Sequence, residues 1–297
     1  MMRRTQAILA LGAVLALSPL LPVLVAAPSV SAPAVAGPAA LPQAKKKAPP
    51  KDDPAIPKAL KNLDKIRKDK KGARDSEGVE VINRLAKRYS DLNKKQQKSV
   101  VKGLGLVFKA KRSPSETKLL LASGEALSKF DAAGAKELAK ICDDKRFGKK
   151  PWLQFRGRLV SFLGRSAQTG KIQKQLVDYA TRAPDDLIRA MAGGTLRHYA
   201  KHDQKVRKEI VKKLIKELAG IYTYSKENVD PRDTTRKAFE DTYATIEGPW
   251  MKTLTALTGQ KIKDPNEWQH WYNKKKGKNW DKEGFTTRPV NAGTKKS

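Results

Sequence analysis

The chain has a single cysteine, Cys142, and only three histidines, His198, His202 and His270. One cysteine excludes an intrachain disulfide and any paired Cys-x-x-Cys site. Cys142 falls on the apolar side of a helical stretch and reads as a small buried residue. Acids are scarce, with 30 Asp and Glu against 62 Lys and Arg, for a net charge of +32 and a sequence pI of about 10.1. Alternating apolar and polar runs that would mark strands are lacking. There is no G-x-S-x-G, no H-E-x-x-H and no phosphate loop. "GLGLVF" at 103–108 lacks the preceding strand and third glycine of a dinucleotide loop. No cofactor and no small-molecule substrate is implied, and the expectation is a non-enzymatic protein.

The charge itself favours acidic company: nucleic acid, acidic wall polymers, anionic lipid heads or acidic proteins. "MMRRTQ" followed by "AILALGAVLALSPLLPVLVAA" has the layout of a secretory signal peptide over residues 1–32. Small-residue cleavage sites follow Ala27 and Ala32. An uncleaved anchor is the alternative, since the apolar run approaches bilayer length. Arg3-Arg4 fits a twin-arginine signal poorly, and no cysteine stands near the cleavage sites for lipid attachment. Cleavage after Ala32 removes two arginines and no acid, lowering the charge from +32 to +30. The expected location is exported: periplasmic, envelope-associated or secreted.

Residues 33–57 carry seven prolines, many alanines and a lysine triplet. That composition predicts an extended, disordered linker. Residues 277–297 read as a disordered basic tail. Between them, over 58–276, apolar residues recur at three and four, which predicts an all-α fold.

Prolines punctuate this region at 114, 151, 184, 231 and 265, at intervals of 37, 33, 47 and 34 residues. Four of them open similar phrases: "SPSE", "APDD", "DPRD" and "DPNE". Proline suits a first helical position, where its missing N–H has no partner anyway. Ser113, Asp230 and Asp264 are placed to cap, and an acid two residues after each proline favours the helix's positive end. Each proline-started helix is expected to have a second behind it. Leu119–Phe130 is answered by Leu138–Cys142, Trp152–Leu163 by Ile172–Tyr179, Leu187–Tyr199 by Val206–Leu218, and Phe239–Ile246 by Trp250–Leu257. One more pair is expected at about 76–92 and 94–111. "GIYTYSKENVD" at 220–230 reads as a long exposed loop.

A fixed period of helix pairs means an α-α superhelix, here of about 4–5 pairs. Over roughly residues 76–276 the chain resembles a HEAT-repeat protein. Its end is similar to the closing segment of exported bacterial HEAT-repeat proteins, with "LTG" at 257–259 and then Asp264, Trp268 and Trp271 in a D-x-x-x-W-x-x-W spacing. The resemblance implies an architecture and no shared catalytic residues. The 47-residue interval departs from a regular repeat.

Four of the five tryptophans, Trp250, Trp268, Trp271 and Trp280, crowd into the end of the chain. Trp268, Trp271 and Tyr272 lie at i, i+3 and i+4, one face of a helix opened by Asp264-Pro265. Trp250 is expected to begin the helix before it. A solenoid's last repeat needs a cover, so Trp250, Asp264, Trp268, Trp271 and Tyr272, within the segment 250–276, are read as a structural cap. A carbohydrate or peptide platform is the alternative, with Trp280, expected to be exposed, as its best residue.

Two stretches concentrate lysine. At 100° per residue, Lys94, Lys95, Lys98, Lys102 and Lys109 share about a 100° sector opposite Val100, Val101, Leu104, Val107 and Phe108. Lys205, Lys208, Lys212, Lys213 and Lys216 likewise face away from Val206, Ile210, Leu214 and Leu218. These ten lysines are the candidate polyanion-binding residues; the plain alternative is a solvated face. His198 and His202, at i and i+4, have a metal-ligating spacing, but no further ligand completes a site and none is expected. Asp143-Asp144 and Asp185-Asp186 read as helix-end caps rather than acid–base pairs. Gly193-Gly194 in mid-helix suggests close packing or a bend.

The functional expectation is an exported HEAT-repeat scaffold that binds a protein partner on its concave face, its basic surface serving acidic partners. The alternative is a sequence-independent binder of nucleic acid or acidic envelope polymer. A base-processing enzyme, which some HEAT-like folds are, is disfavoured by the export signal and the missing catalytic constellation. No particular oligomeric state is implied.

Overall fold

Helices form where an apolar three-four pattern meets a side chain able to satisfy the first free N–H groups. Eleven helices occur among the residues described by the computed structural model, 52–226 and 234–283, and a side chain caps five of them, α3, α5, α7, α8 and α11: α1 (Ala55–Lys68), α2 (Asp75–Arg88), α3 (Lys94–Val107), α4 (Lys118–Ser128), α5 (Ala132–Cys142), α6 (Leu153–Arg165), α7 (Gly170–Arg182), α8 (Asp186–Thr195), α9 (Gln204–Lys226), α10 (Thr234–Thr258) and α11 (Pro265–Lys275). Among these residues there is no strand. No helix among them is long and apolar enough to cross a membrane. The predicted signal segment, residues 33–51 of the linker, Asp230-Pro231 and residues 284–297 of the tail lie outside the described residues.

Each helix packs against the one two places on. The even-numbered helices form one row, α2–α4–α6–α8–α10, and the odd-numbered helices a second, α1–α3–α5–α7–α9–α11. Buried apolar residues run the length of the space between the rows, from Ile56, Leu63 and Ile66 to Leu254, Leu257 and Trp268. The fold is therefore an all-α superhelix of five pairs, α1–α10, with α11 added to the odd row.

The proline punctuation is only partly what starts these helices. Pro265 is the first residue of α11, and Asp264 caps it by accepting the Asn266 N–H at 2.6 Å. Pro114 instead sits in a turn whose Glu116 N–H donates to the Ser113 carbonyl at 3.0 Å, and α4 starts only at Lys118. Ser113 therefore does not cap it. Pro151 lies in a short 3-10 turn ahead of α6. Pro184 stands two residues before α8, which Asp185 caps through the Ile188 N–H at 3.2 Å. Asn93, Asp131 and Thr169 cap α3, α5 and α7 with no proline behind them. Replacing Asp264 with alanine is expected to cost about 1 kcal/mol, the usual worth of a lost N-cap. A denaturant titration measures it, and Ser113→Ala should leave the midpoint unchanged.

Four sequence boundaries need correction. The ordered chain begins before residue 58: α1 starts at Ala55, and Ile56 is buried. Pro57 is tolerated there because the first-turn N–H groups have no intrahelical partner. Residues 220–226 of the expected loop continue α9, with Ile221 and Ser225 buried. Residues 234–258 form one 25-residue helix, not a pair, and Trp250 lies inside it. Pro249 lies inside α10, and its ring packs beside Gly194 of α8, where a Cβ would stand 3.1 Å from the Pro249 Cβ. The 34-residue interval from Pro231 to Pro265 thus spans one long helix, and its match to the repeat period is coincidence. Finally, residues 277–283 of the predicted tail are folded, with Trp280 fully buried.

Candidate functional site

The ten candidate lysines fall on two helices of the same row. Lys94, Lys95, Lys98 and Lys102 are exposed on α3, Lys109 is exposed just beyond its end, and Lys205, Lys212, Lys213 and Lys216 are exposed on α9. α5 and α7 stand between them in the row and contribute exposed Lys136, Lys171 and Lys174. α3 has no acid, and the four on α5, α7 and α9 are all engaged. Glu137 pairs with Lys140 at 3.1 Å and Asp178 with Arg182 at 3.4 Å. Glu217 holds Arg189 of α8 at 2.7 Å, and Glu209 accepts from Gln173 at 3.3 Å. Lys94 lies 4.0 Å from Asp131; the other eight exposed candidates make no ion pair among the described residues.

Lys208 is the exception and leaves the candidate set. It is half-buried, donates to the Lys278 carbonyl at 2.6 Å and lies 5.4 Å from the centre of the Trp280 ring. Its charge clasps the end of the chain. Arg207 beside it is fully buried, donating to the His202 carbonyl at 2.9 Å and the Leu257 carbonyl at 3.1 Å, and pairing with Asp281. At the other end Arg112 is equally buried. Its guanidinium grips Asp75 at 2.7 and 2.9 Å and reaches carbonyls at the end of α1. Both arginines are therefore internal clasps. Arg207 was legible in principle, because it shares the spacing of buried Ile210, Val211 and Leu214.

The aromatic segment closes the core. Trp250, Trp268 and Trp280 are 0% exposed and Tyr272 is buried, while Trp271 is half-buried. Trp250 Nε1 donates to the Arg189 carbonyl at 3.1 Å, with the indole seated on Gly193, where a Cβ would come within 2.0 Å of that nitrogen. Trp268 Nε1 donates to the Ile262 carbonyl and Trp280 Nε1 to the Lys275 carbonyl, at 3.1 and 2.9 Å. Trp280 is thus part of the cover and presents no platform. Its burial escaped the sequence reading because it follows α11, outside any helical period.

The first helix pair, α1 and α2, and the turn after α8 show two further features. Between α1 and α2 lies a cavity of about 520 Å³ with Ile56, Val81 and Leu85 in its floor and Lys58, Arg84, Lys87 and Arg88 around it. No carboxylate lines it, and of its four cations Arg88 is paired with Asp53 outside the lining. His198 and His202 are not on one helix face: a 3-10 turn spans Leu196–Lys201, and at three residues per turn an i,i+4 pair diverges. His202 Nε2 lies 2.5 Å from Gln168 Oε1. No cluster of three metal-ligating side chains occurs among the described residues. Asp144 caps a 3-10 turn through the Arg146 N–H at 2.9 Å, and Asp143 accepts from Gln175 at 3.0 Å and from the Tyr179 hydroxyl. Cys142 is fully buried, and burial, with Asp143 adding, pushes its thiol pKa up.

No protein-family model, curated protein or solved structure matches this chain. What the arrangement can do is bind anionic surface through a row of solvated ammonium groups.

Proposed function

We propose that the chain is a non-enzymatic, HEAT-like scaffold, exported by its N-terminal segment, that docks an acidic protein partner on its odd-numbered helix row. The observation that carries this reading is the convergence of exposed lysines on that row while every carboxylate on α5, α7 and α9 is engaged locally. The cation-rimmed apolar cavity between α1 and α2 supports a protein over a bare polymer, since it offers room for an apolar side chain flanked by acids. A second reading, a sequence-independent polyanion binder, is supported by the lysines themselves. Ammonium groups act as point charges and read no sequence.

Charge reversal separates position from total charge. Lys98→Glu/Lys212→Glu/Lys213→Glu is expected to release the protein from a heparin column at markedly lower salt. Lys118→Glu/Arg158→Glu/Lys237→Glu, on the even row and of equal charge change, is expected to shift elution far less. Equal shifts would remove the row from the account. A steep fall in affinity for nucleic acid with salt, several ions released per binding event, would favour the polymer reading; a shallow one favours the protein partner.

A further inference from the structure

The even-numbered row carries a different kind of cationic feature. A cavity of about 580 Å³ opens between α6, the end of α8 and α10. Its charged lining is Arg165, Arg197 and Lys252, with His198 beside them and no carboxylate. The three long cations are exposed and make no ion pair among the described residues. Charge left unneutralised in a concave site is unlike the scattered surface lysines, because low-dielectric walls concentrate its field.

Two hydroxyls and an apolar floor complete the lining. Ser161 Oγ donates only to the Met191 thioether at 3.8 Å, and Thr195 Oγ1 reaches the Ser161 carbonyl at 3.4 Å. Both hydroxyls are thus weakly committed. Met191, Ala190 and Pro249 supply apolar surface, and Gly194 and Gly248 keep the space open. Burial, then the charges of Arg197 and Arg165, lower the His198 pKa.

We propose that this cavity binds the phosphate of a small organic phosphate monoester, its head held by Arg165, Arg197 and Lys252 and its organic part lying over Met191 and Pro249. Two planar guanidinium forks and an ammonium match a dianion in charge and donor number better than they match a single carboxylate. The volume exceeds what a bare phosphate fills, and drug-sized ligands occupy cavities of about 300–1,000 Å³. The site lies on the row opposite the proposed docking surface and does not depend on it.

Phenyl phosphate and inorganic phosphate serve as probes, read by the His198 ring resonances in low-salt buffer. Phenyl phosphate is expected to give a saturable shift at lower concentration than inorganic phosphate, and to raise the His198 titration midpoint by supplying the missing negative charge. Arg197→Gln/Lys252→Gln is expected to weaken phenyl phosphate at least about tenfold, the worth of roughly one lost charge-assisted hydrogen bond. Both residues are exposed, and an unchanged melting temperature confirms that the fold survives. Lys212→Gln/Lys213→Gln, on the other row, should leave the binding intact. No saturable shift at His198, or an undiminished one in the Arg197/Lys252 variant, overturns the site. Equal affinity for the two probes overturns the monoester assignment.

Discussion

Replacing Arg207 with alanine is expected to destabilise the protein by about 3 kcal/mol, the low end of the range for breaking a buried ion pair. For a fold of this size that lowers the melting temperature by roughly 6–12 °C. The guanidinium is fully buried, and its loss strands the His202 and Leu257 carbonyls away from water. Asp281 is 36% exposed, so water recovers part of its charge and holds the cost below the upper figures. Arg207→Lys should recover only part of the loss, since one ammonium cannot reach both carbonyls and Asp281. Asp281→Asn should cost about 1 kcal/mol or less, as for a solvated partner. Because Arg207 and Lys208 both tie down the segment 278–281, limited proteolysis is expected to cut after Lys275–Lys278 faster in Arg207→Ala than in the parent. A variant as stable and as resistant as the parent would refute the clasp.

Truncating Trp250 is expected to be at least as damaging. Trp250→Ala empties a fully buried indole site against α8, a change that typically costs about 3–5 kcal/mol. It also leaves the Arg189 carbonyl without the indole N–H. Trp271→Ala, at a half-buried ring, should cost about 1 kcal/mol by the smaller apolar area it removes from water. The Gly193 contact gives a coupled test. Gly193→Ala alone forces a methyl to within 2.0 Å of Trp250 Nε1 and is expected to cost roughly 1–3 kcal/mol as overpacking. In the Trp250→Ala background the same methyl enters vacated space, so its cost should vanish or change sign through alanine's better helix propensity. Additive losses in the double-mutant cycle would mean that the two residues do not meet.

Helix existence was readable because burial on one side imposes a three-four spacing, as in Val100, Leu104 and Val107. The two-row arrangement follows from helices too short and one-sided to be buried alone. Boundaries are less legible than existence, because a proline need not end a helix. Pro57 and Pro249 both sit inside helices, one in an unpaired first turn and the other seated on Gly194. The lysine faces were legible as helix faces, but nothing local says that α3 and α9 share a row; that depends on the parity of the intervening helices. Lys208, Arg207 and Arg112 were hidden for a different reason. A cation's burial is decided by partners 70, 74 and 37 residues away, which no local pattern records. The cavity of Arg165, Arg197, His198 and Lys252 is assembled from three helices and left no motif.

Tryptophan fluorescence tests most directly whether the aromatic end is a cover or a platform. In a Trp152→Phe/Trp271→Phe variant the emission comes from Trp250, Trp268 and Trp280 alone. The account predicts blue-shifted emission, weak quenching by acrylamide and no response to added carbohydrate or peptide. Emission resembling free indole in water, strongly quenched by acrylamide, would contradict it.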